Sequence, residues 1–228
     1  MALTEHDILM FKALLLAWYH KTGRRVPPGF SVRAASIGDV FRGMIREFQH
    51  ANRLVVNGEL DSETQKLLHP VDPIEIKRAH AVAWYHWAAT HNAGQVYSEG
   101  RPLLHMDDPW ALPIYYDCSG LVIKGSQAAG FANPAGYSYA SGVGNTQSFI
   151  DHLRHIPFSQ LKQGDPIVFG GPMYLQHAVA VVSPHPTNPL VCSNGHQNRP
   201  GSPCPEIVPY AWEAAGKPGQ PVYALSIV

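Results

Sequence analysis

The first 70 residues carry apolar side chains at helical spacing in two stretches. One stretch runs through Ile8, Phe11, Leu15 and Trp18, and the other runs through Val40, Met44, Phe48 and Ala51. A repeat of about three to four residues places apolar side chains on one face of a helix. Between the two stretches, the Gly and Pro residues of TGRRVPPGFS indicate a loop.

A shorter third helix is expected after the tight turn at Asn57-Gly58. Asp61 or Ser62 is suited to cap its first turn, and Pro70 cannot continue it. The sequence therefore predicts a small three-helix domain over residues 1–70. The segment HPVDPIEI, with its two prolines, predicts a linker over residues 71–76.

The pattern over residues 77–228 is that of a mixed domain. An Ala-rich segment with an aromatic stripe over 75–94 predicts a helix that stops near Asn92 and Gly94. Further helices are predicted from Cys118 and around TQSFIDHLRHI. Apolar runs bounded by Gly, Pro or Asn then predict strands over 165–170, 177–183, 189–194 and 221–228. Helices followed by such strands predict an α+β domain in which helices pack on an antiparallel sheet.

Composition narrows the class of partner. The 228-residue chain has 17 basic and 17 acidic side chains, so its charge does not favour binding to nucleic acid. No apolar stretch has the length of a membrane span. The stretch ILMFKALLLAWYH contains a lysine and lacks a basic leader and a cleavage site, so we expect a cytoplasmic protein without a signal peptide.

Cysteine usage leaves one position of chemical interest. Cys118, Cys192 and Cys204 are too few for a disulfide framework, and no CxxC pair indicates a zinc site, although a Cys192–Cys204 pair stays open. Cys118 lies in YYDCSGLV, at the predicted start of a helix that Asp117 can cap. Unpaired N–H groups at a helix start stabilise a thiolate, so the position suits a nucleophile as well as a buried structural cysteine.

A cysteine nucleophile needs a base and a group that orients the base. His177 begins the alternating strand of QHAVAVV, and LVCSNGH supplies Asn194 and His196 on the strand expected next to it. A lone histidine on a strand is more often a packed surface or core residue, and Asn194 and His196 are also compatible with a simple Asn-Gly turn. His152 and His155 lie one helical turn apart in the prediction and have no third ligand at a supporting spacing, so we expect a solvated helix face there.

The segment VFRGMIREFQHANRLVVNGELDSETQKLL resembles peptidoglycan-binding domains in which a Phe-Gln helix precedes a Leu-x-Val-Asp-Gly loop and a short helix. The matching positions are Phe48, Gln49, Leu54, Val56, Gly58, Leu60, Thr64 and Leu67. Asn57 replaces the usual Asp, and Asp61 stands where a Gly is common. Phe48, Leu54 and Leu67 are expected in the core, and the resemblance implies that the loop and its surroundings contact the glycan or the stem peptide.

The order YYDCSGLV, LKQGDPIVFG, QHAVAVV and VCSNG, over roughly residues 80–200, resembles NlpC-type cysteine peptidases. These are papain-like enzymes that hydrolyse peptidoglycan stem peptides, and the likeness is greatest to modules of actinobacteriophage endolysins. The resemblance implies a papain-like domain with Cys118 as nucleophile and His177 as general base and acid. It implies Asn194 as the residue that orients the imidazole, with His196 as the alternative.

The resemblance also implies supporting roles around the nucleophile. Tyr97, Ser119 and Asp117 are expected to bind substrate or the oxyanion, with the N–H of Cys118 or Ser119 as donor. Asp165 is expected to fix the turn before its strand.

Together the two resemblances imply an endolysin-type peptidoglycan endopeptidase that cuts the D-glutamyl-diaminopimelate bond with no cofactor and no metal. The alternatives are an N-acetylmuramoyl-L-alanine amidase of the same layout and a non-catalytic cell-wall binding protein. The expected partner is bacterial peptidoglycan, with no nucleic acid and no membrane insertion. A monomer is expected, held in the host cytoplasm until it is released to the cell wall.

Overall fold

The computed structural model describes residues 3–31, 36–69, 72–93, 95–97, 115–141, 144–170, 176–195 and 205–228. The α-helices in these ranges are α1 (Glu5–Lys21), α2 (Asp39–Ala51), α3 (Ser62–Leu68), α4 (Pro73–Thr90), α5 (Cys118–Ala128), α6 (Thr146–His152) and α7 (Tyr210–Ala215). The strands are β1 (Val96–Tyr97), β2 (Tyr115–Tyr116), β3 (Arg154–His155), β4 (Pro166–Phe169), β5 (His177–Ser183), β6 (Leu190–Ser193), β7 (Glu206–Pro209) and β8 (Val222–Ser226).

Six of the strands form one antiparallel sheet in the order β3-β8-β4-β5-β6-β7. The short strands β1 and β2 pair in parallel and place Tyr97 opposite Tyr116. The prediction of a mixed α+β protein with an antiparallel sheet is therefore confirmed. The predicted strand 177–183 coincides with β5, and the other three predicted runs contain β4, β6 and β8.

The two faces of the sheet pack against different helices because side chains alternate along each strand. Ala178, Ala180 and Cys192 face a cluster that includes residues of α4 and α5. Val179 and Val181 face a second cluster, against which residues of α7 pack. Cys118, at the start of α5, thus approaches the sheet from one side, and α7 covers the other side.

The helix α4 joins the apolar core of the first three helices to the core of the sheet. Its Ala79 and Ala83 pack with residues of α1, α2 and α3, whereas its Trp84 and Tyr85 belong to the cluster on the sheet. The helix begins at Pro73, after an Asp72 cap that accepts from the N–H of Ile74 at 2.9 Å. Residues 73–76 of the predicted linker therefore form its first turn, because Pro is favoured at the first helical position.

Two side-chain expectations differ from the structure. Phe48 is buried and Leu54 is half-buried, but Leu67 is 50% exposed because α3 turns Thr64 and Leu68 inward instead. The predicted helix through His152 and His155 ends at His152, and His155 lies on β3, where it pairs with Leu225. The two histidines are therefore not one turn apart on a helix.

Candidate active site

The start of α5 is built by a capping carboxylate. Asp117 is the N-cap, and its Oδ1 accepts from the N–H of Gly120 at 2.6 Å and from the hydroxyl of Ser119 at 3.0 Å. A cap of this kind fixes the first turn of a helix and stabilises it by about 1 kcal/mol. The predicted cap is confirmed, and it fixes the backbone at Cys118, which is 4% exposed.

Three donors converge on the sulfur of Cys118. They are the N–H groups of Ser119 and Ala178 and the hydroxyl of Tyr97. Tyr97 reaches the thiol because β1 lies beside β2, which ends immediately before the cap of α5. Ala178 directly follows His177 on β5. The thiol therefore lies against the strand position next to His177, with Tyr97, a predicted substrate- or oxyanion-binding residue, beside it.

The thiol of Cys118 is protonated at neutral pH. Burial, and then the nearby charge of Asp117, raise its pKa to about 11, although the three hydrogen bonds lower it. The helix start was expected to lower the pKa, but burial outweighs that effect because a thiolate loses its hydration there. A reactive sulfur at this site therefore requires a base that removes the proton during attack.

His177 has two polar partners at one ring nitrogen. Its Nε2 lies 3.1 Å from the hydroxyl oxygen of Ser193 and 3.7 Å from Oε2 of Glu213. Glu213 is fully buried, and its Oε2 also accepts from Nζ of Lys217 at 2.8 Å. Ser193 and Glu213 were not predicted as site residues. Ser193 precedes Asn194 in the quoted VCSNG motif, but α7 carries too short a pattern to be predicted.

Asn194 forms hydrogen bonds to the backbone of the two residues before Cys118. Its Nδ2 donates to the carbonyl oxygens of Tyr116 at 2.9 Å and of Asp117 at 3.2 Å, and the residue is 1% exposed. The amide nitrogen thereby ties the end of β6 to the residues before Cys118. The residues brought to Nε2 of His177 are Ser193 and Glu213. The alternative orienting residue, His196, lies outside the described residues.

The Asn-Gly turn brings Tyr97 to its place. Gly195 adopts φ +88°, a conformation that favours glycine, and a Cβ atom there would overlap the ring of Tyr97. Glycine therefore serves two needs, a left-handed turn and the close approach of the tyrosine ring. Cys204 lies outside the described residues, so its pairing with Cys192 stays a prediction.

Asp165 fixes the turn before β4 as predicted, and it also links this turn to α4 through an ion pair with Arg78. Its Oδ2 accepts from the N–H of Lys162 at 2.9 Å, and its Oδ1 accepts from the N–H of Ile227 at 3.1 Å. The same Oδ1 lies 2.8 Å from Nη1 of Arg78 on α4, and both side chains of this pair are buried. Arg78 also donates to the carbonyl of Gln163.

In the N-terminal helices, the residues of the binding-domain pattern form an internal hydrogen-bond network. The side chain of Gln49 is completely buried, and its Oε1 accepts from the N–H of Asn57 at 3.1 Å and of Gly58 at 2.9 Å. Its Nε2 donates to the Asn57 side chain, the Glu59 carbonyl and the Thr64 hydroxyl. The motif therefore shapes the loop, whose exposed apolar side chains include Val55 and Val56.

Within the described ranges, no group of three or more His, Cys, Asp and Glu side chains is arranged to hold a metal ion. A ring nitrogen of His152 contacts the carbonyl of Ser148, and one of His155 contacts that of Ile150. No helix in the described part of the chain combines the length and the apolar character of a membrane span.

Comparison with known proteins gives no relative. No family model matches the chain, and neither a curated protein nor a solved structure matches it significantly. We therefore infer the function from the residues of the site and from their geometry.

Proposed function

We propose that the protein is a cysteine peptidase that hydrolyses peptidoglycan stem peptides, with Cys118 as nucleophile and His177 as general base and acid. The observation that carries the proposal is the meeting of a capped helix start and a strand start. The sulfur of Cys118 accepts from the N–H of Ala178, the residue after His177. Papain-like catalysis uses a Cys on a helix and a His on a neighbouring sheet strand, and this contact brings the thiol of Cys118 to the strand position after His177.

The protonated thiol sets the first step. His177 takes the proton of Cys118 as the sulfur attacks the carbonyl carbon of the scissile amide, which gives a tetrahedral intermediate. The imidazolium then gives the proton to the leaving amine, and a thioester remains on Cys118. Water attacks this thioester with His177 again as base, so that a carboxylic acid leaves and the thiol is restored.

Donors at the sulfur are also suited to the developing oxyanion. The main-chain N–H of Cys118 or Ser119 opens α5, where the helix dipole favours negative charge. The hydroxyl of Tyr97, which donates to the sulfur, is the side-chain donor proposed for the oxyanion during attack. Tyr97 is 39% exposed, whereas Cys118 is 4% exposed.

Peptidoglycan is the proposed substrate because the N-terminal helices carry the pattern of a peptidoglycan-binding domain. The Gln49 network supports this pattern, since the loop that follows α2 is organised by that side chain. A module that holds the polymer raises the local concentration of cleavable bonds. The D-glutamyl-diaminopimelate bond is the proposed target, and the wall is reached from the host cytoplasm when the membrane is opened.

Mass spectrometry of fragments released from diaminopimelate-type peptidoglycan tests the proposal. The wild-type protein should release pieces with a free diaminopimelate amine, and the Cys118→Ala variant should release none. Release of intact stem peptides that begin with L-Ala would show that the protein is an amidase and not an endopeptidase. If neither protein released fragments while both bound the polymer, the non-catalytic binding protein would be the better account.

A further inference from the structure

We propose that Ser193 and Glu213 form a relay that holds the neutral imidazole of His177 in a single tautomer, with its proton on Nε2. Both residues act through His177 and are therefore positioning residues. The inference deepens the proposed function and rests on it. Ser193 lies on β6, a strand of the sheet, and Glu213 lies on α7, which packs on the sheet face opposite α5.

The tautomer follows from the single proton of a serine hydroxyl. The hydroxyl of Ser193 donates to the carboxylate of Glu213, which is acceptor-only when ionised. Because its single proton points to Glu213, the hydroxyl oxygen can only accept from Nε2 of His177, which lies 3.1 Å away. Nε2 must then carry the imidazole proton, and Nδ1 carries the lone pair, so that Nδ1 is the ring atom able to accept a proton.

Glu213 is ionised although it is fully buried. Burial by itself raises the pKa of its carboxyl group, but the charge of His177 and the hydrogen bonds from Lys217 and Ser193 outweigh that effect, so the pKa is lowered. Lys217 contacts Oε2 at 2.8 Å, and its ammonium lies 5.0 Å from the ring centre of Phe169. The relay therefore ends in a carboxylate whose charge is stabilised by His177 when the ring is charged, and by Lys217 and Ser193.

The second contact of Glu213 serves the charged state of the histidine. Its Oε2 lies 3.7 Å from Nε2 of His177, close enough to stabilise an imidazolium. Thus Ser193 selects the tautomer of the neutral ring, and Glu213 stabilises the charged ring that forms when Cys118 attacks. Asn194, which directly follows Ser193, holds the nucleophile's side of the same site through the carbonyls of Tyr116 and Asp117.

Nitrogen-15 NMR of the imidazole nitrogens tests the relay without reference to catalysis. Resonances missing from a His177→Ala sample identify the ring. In the wild type at a pH where the ring is neutral, Nε2 should show the shift of a protonated nitrogen and Nδ1 that of an unprotonated one. The Ser193→Ala variant should average the two shifts, because the hydroxyl acceptor has been removed.

Kinetics on a soluble stem peptide supply the second readout. In Glu213→Gln and in Ser193→Ala, we expect kcat to fall about 10- to 100-fold, the loss typical of residues that orient a metal-bound histidine, with KM little changed. Glu206→Gln is the matched control, because Glu206 stands opposite Ser193 in the β6–β7 register and takes no part in the relay. This control should keep both the tautomer and kcat. If Glu213→Gln does not fold, Ser193→Ala alone supplies the kinetic readout.

The outcomes separate the relay from the proposed function. An active wild type whose tautomer and kcat are unchanged in folded Ser193→Ala would overturn the relay and leave the peptidase intact. A protein without hydrolase activity whose single tautomer is lost in Ser193→Ala would support the relay and overturn the peptidase. A wild type that already shows averaged nitrogen shifts would also overturn the relay.

Discussion

Replacing Asp165 by Asn should lower the free energy of unfolding by about 3–5 kcal/mol, the usual cost of leaving one partner of a buried ion pair uncompensated. The side chains of Arg78 and Asp165 are 3% and 1% exposed, and their closest atoms are 2.8 Å apart. Asn keeps the size of the side chain but removes the charge that balances the guanidinium. It also turns an NH₂ group towards either the N–H of Lys162 or that of Ile227, where a donor cannot be paired.

Urea denaturation followed by circular dichroism measures this loss. With an m-value of about 2 kcal/mol/M, the midpoint should fall by about 1.5–2.5 M. Glu75→Gln is the matched control, since Glu75 faces Lys162 at 3.5 Å across the same helix–turn contact but both side chains are exposed. An exposed pair contributes about 0–1 kcal/mol, so this variant should unfold close to the wild type.

A double variant separates the ion pair from other effects of the Asn substitution. Arg78→Met alone leaves the carboxylate unpaired and should also be strongly destabilising. Combined with Asp165→Asn, it should cost clearly less than the sum of the two single variants, because the second change removes a charge that has already lost its partner. A loss below about 1 kcal/mol for Asp165→Asn, or strict additivity, would refute the reasoning from the buried pair.

Three further predictions concern other parts of the molecule. Gln49→Ala should lower the free energy of unfolding by about 1–3 kcal/mol in urea denaturation, because it leaves the buried N–H of Gly58 unpaired. A loss well below about 1 kcal/mol would contradict the network. Gly195→Ala should displace Tyr97 and reduce the rate of hydrolysis at least about tenfold. The control Gly219→Ala has a similar positive φ but open space around it, and it should stay active. Equal rates in the two variants would count against the close approach of Tyr97 to Gly195. In the substrate-free protein, the rate at which iodoacetamide alkylates Cys118, followed by peptide mass spectrometry, should rise about tenfold per pH unit below the pKa of about 11. A rate that is already constant with pH near neutrality would show that the thiol is ionised there.

Local signals in the sequence were enough to predict the elements that carry the nucleophile and the base. Asp117 before Cys118 is a helix cap by residue type, and the alternation after His177 gives β5 its full length. These features depend on neighbours within a few residues, so a linear pattern contains them. The same holds for Asp61, which caps α3 by accepting from Thr64 at 2.8 Å.

The partners of His177 could not be predicted because they depend on how distant elements pack. Glu213 lies 36 positions from His177 in the sequence and belongs to a six-residue helix, which is too short to show a periodic pattern. A buried glutamate is also unexpected by residue type, since charged side chains are rarely buried unless paired. Likewise, the raised pKa of Cys118 results from burial by the sheet, which the helix-start signal does not report.

The linker prediction shows the same limit at the level of domains. Two prolines in HPVDPIEI suggested an extended connection, but Pro73 stands at the start of α4, where proline is compatible with a helix. The helix then packs with both apolar cores through residues such as Ala83 and Trp84. Which of the two roles a proline takes depends on the residues that pack around the following turn.

The most direct test of the central claim is the initial rate at which diaminopimelate amines appear from a soluble stem peptide, measured for the wild type and for Cys118→Ser. The serine keeps the shape of the side chain and the helix cap, and it replaces only the sulfur atom by oxygen. We expect the rate to fall by at least about a thousandfold, as when a catalytic nucleophile is removed. A folded Cys118→Ser protein that releases the amine at the wild-type rate would show that Cys118 is not the nucleophile.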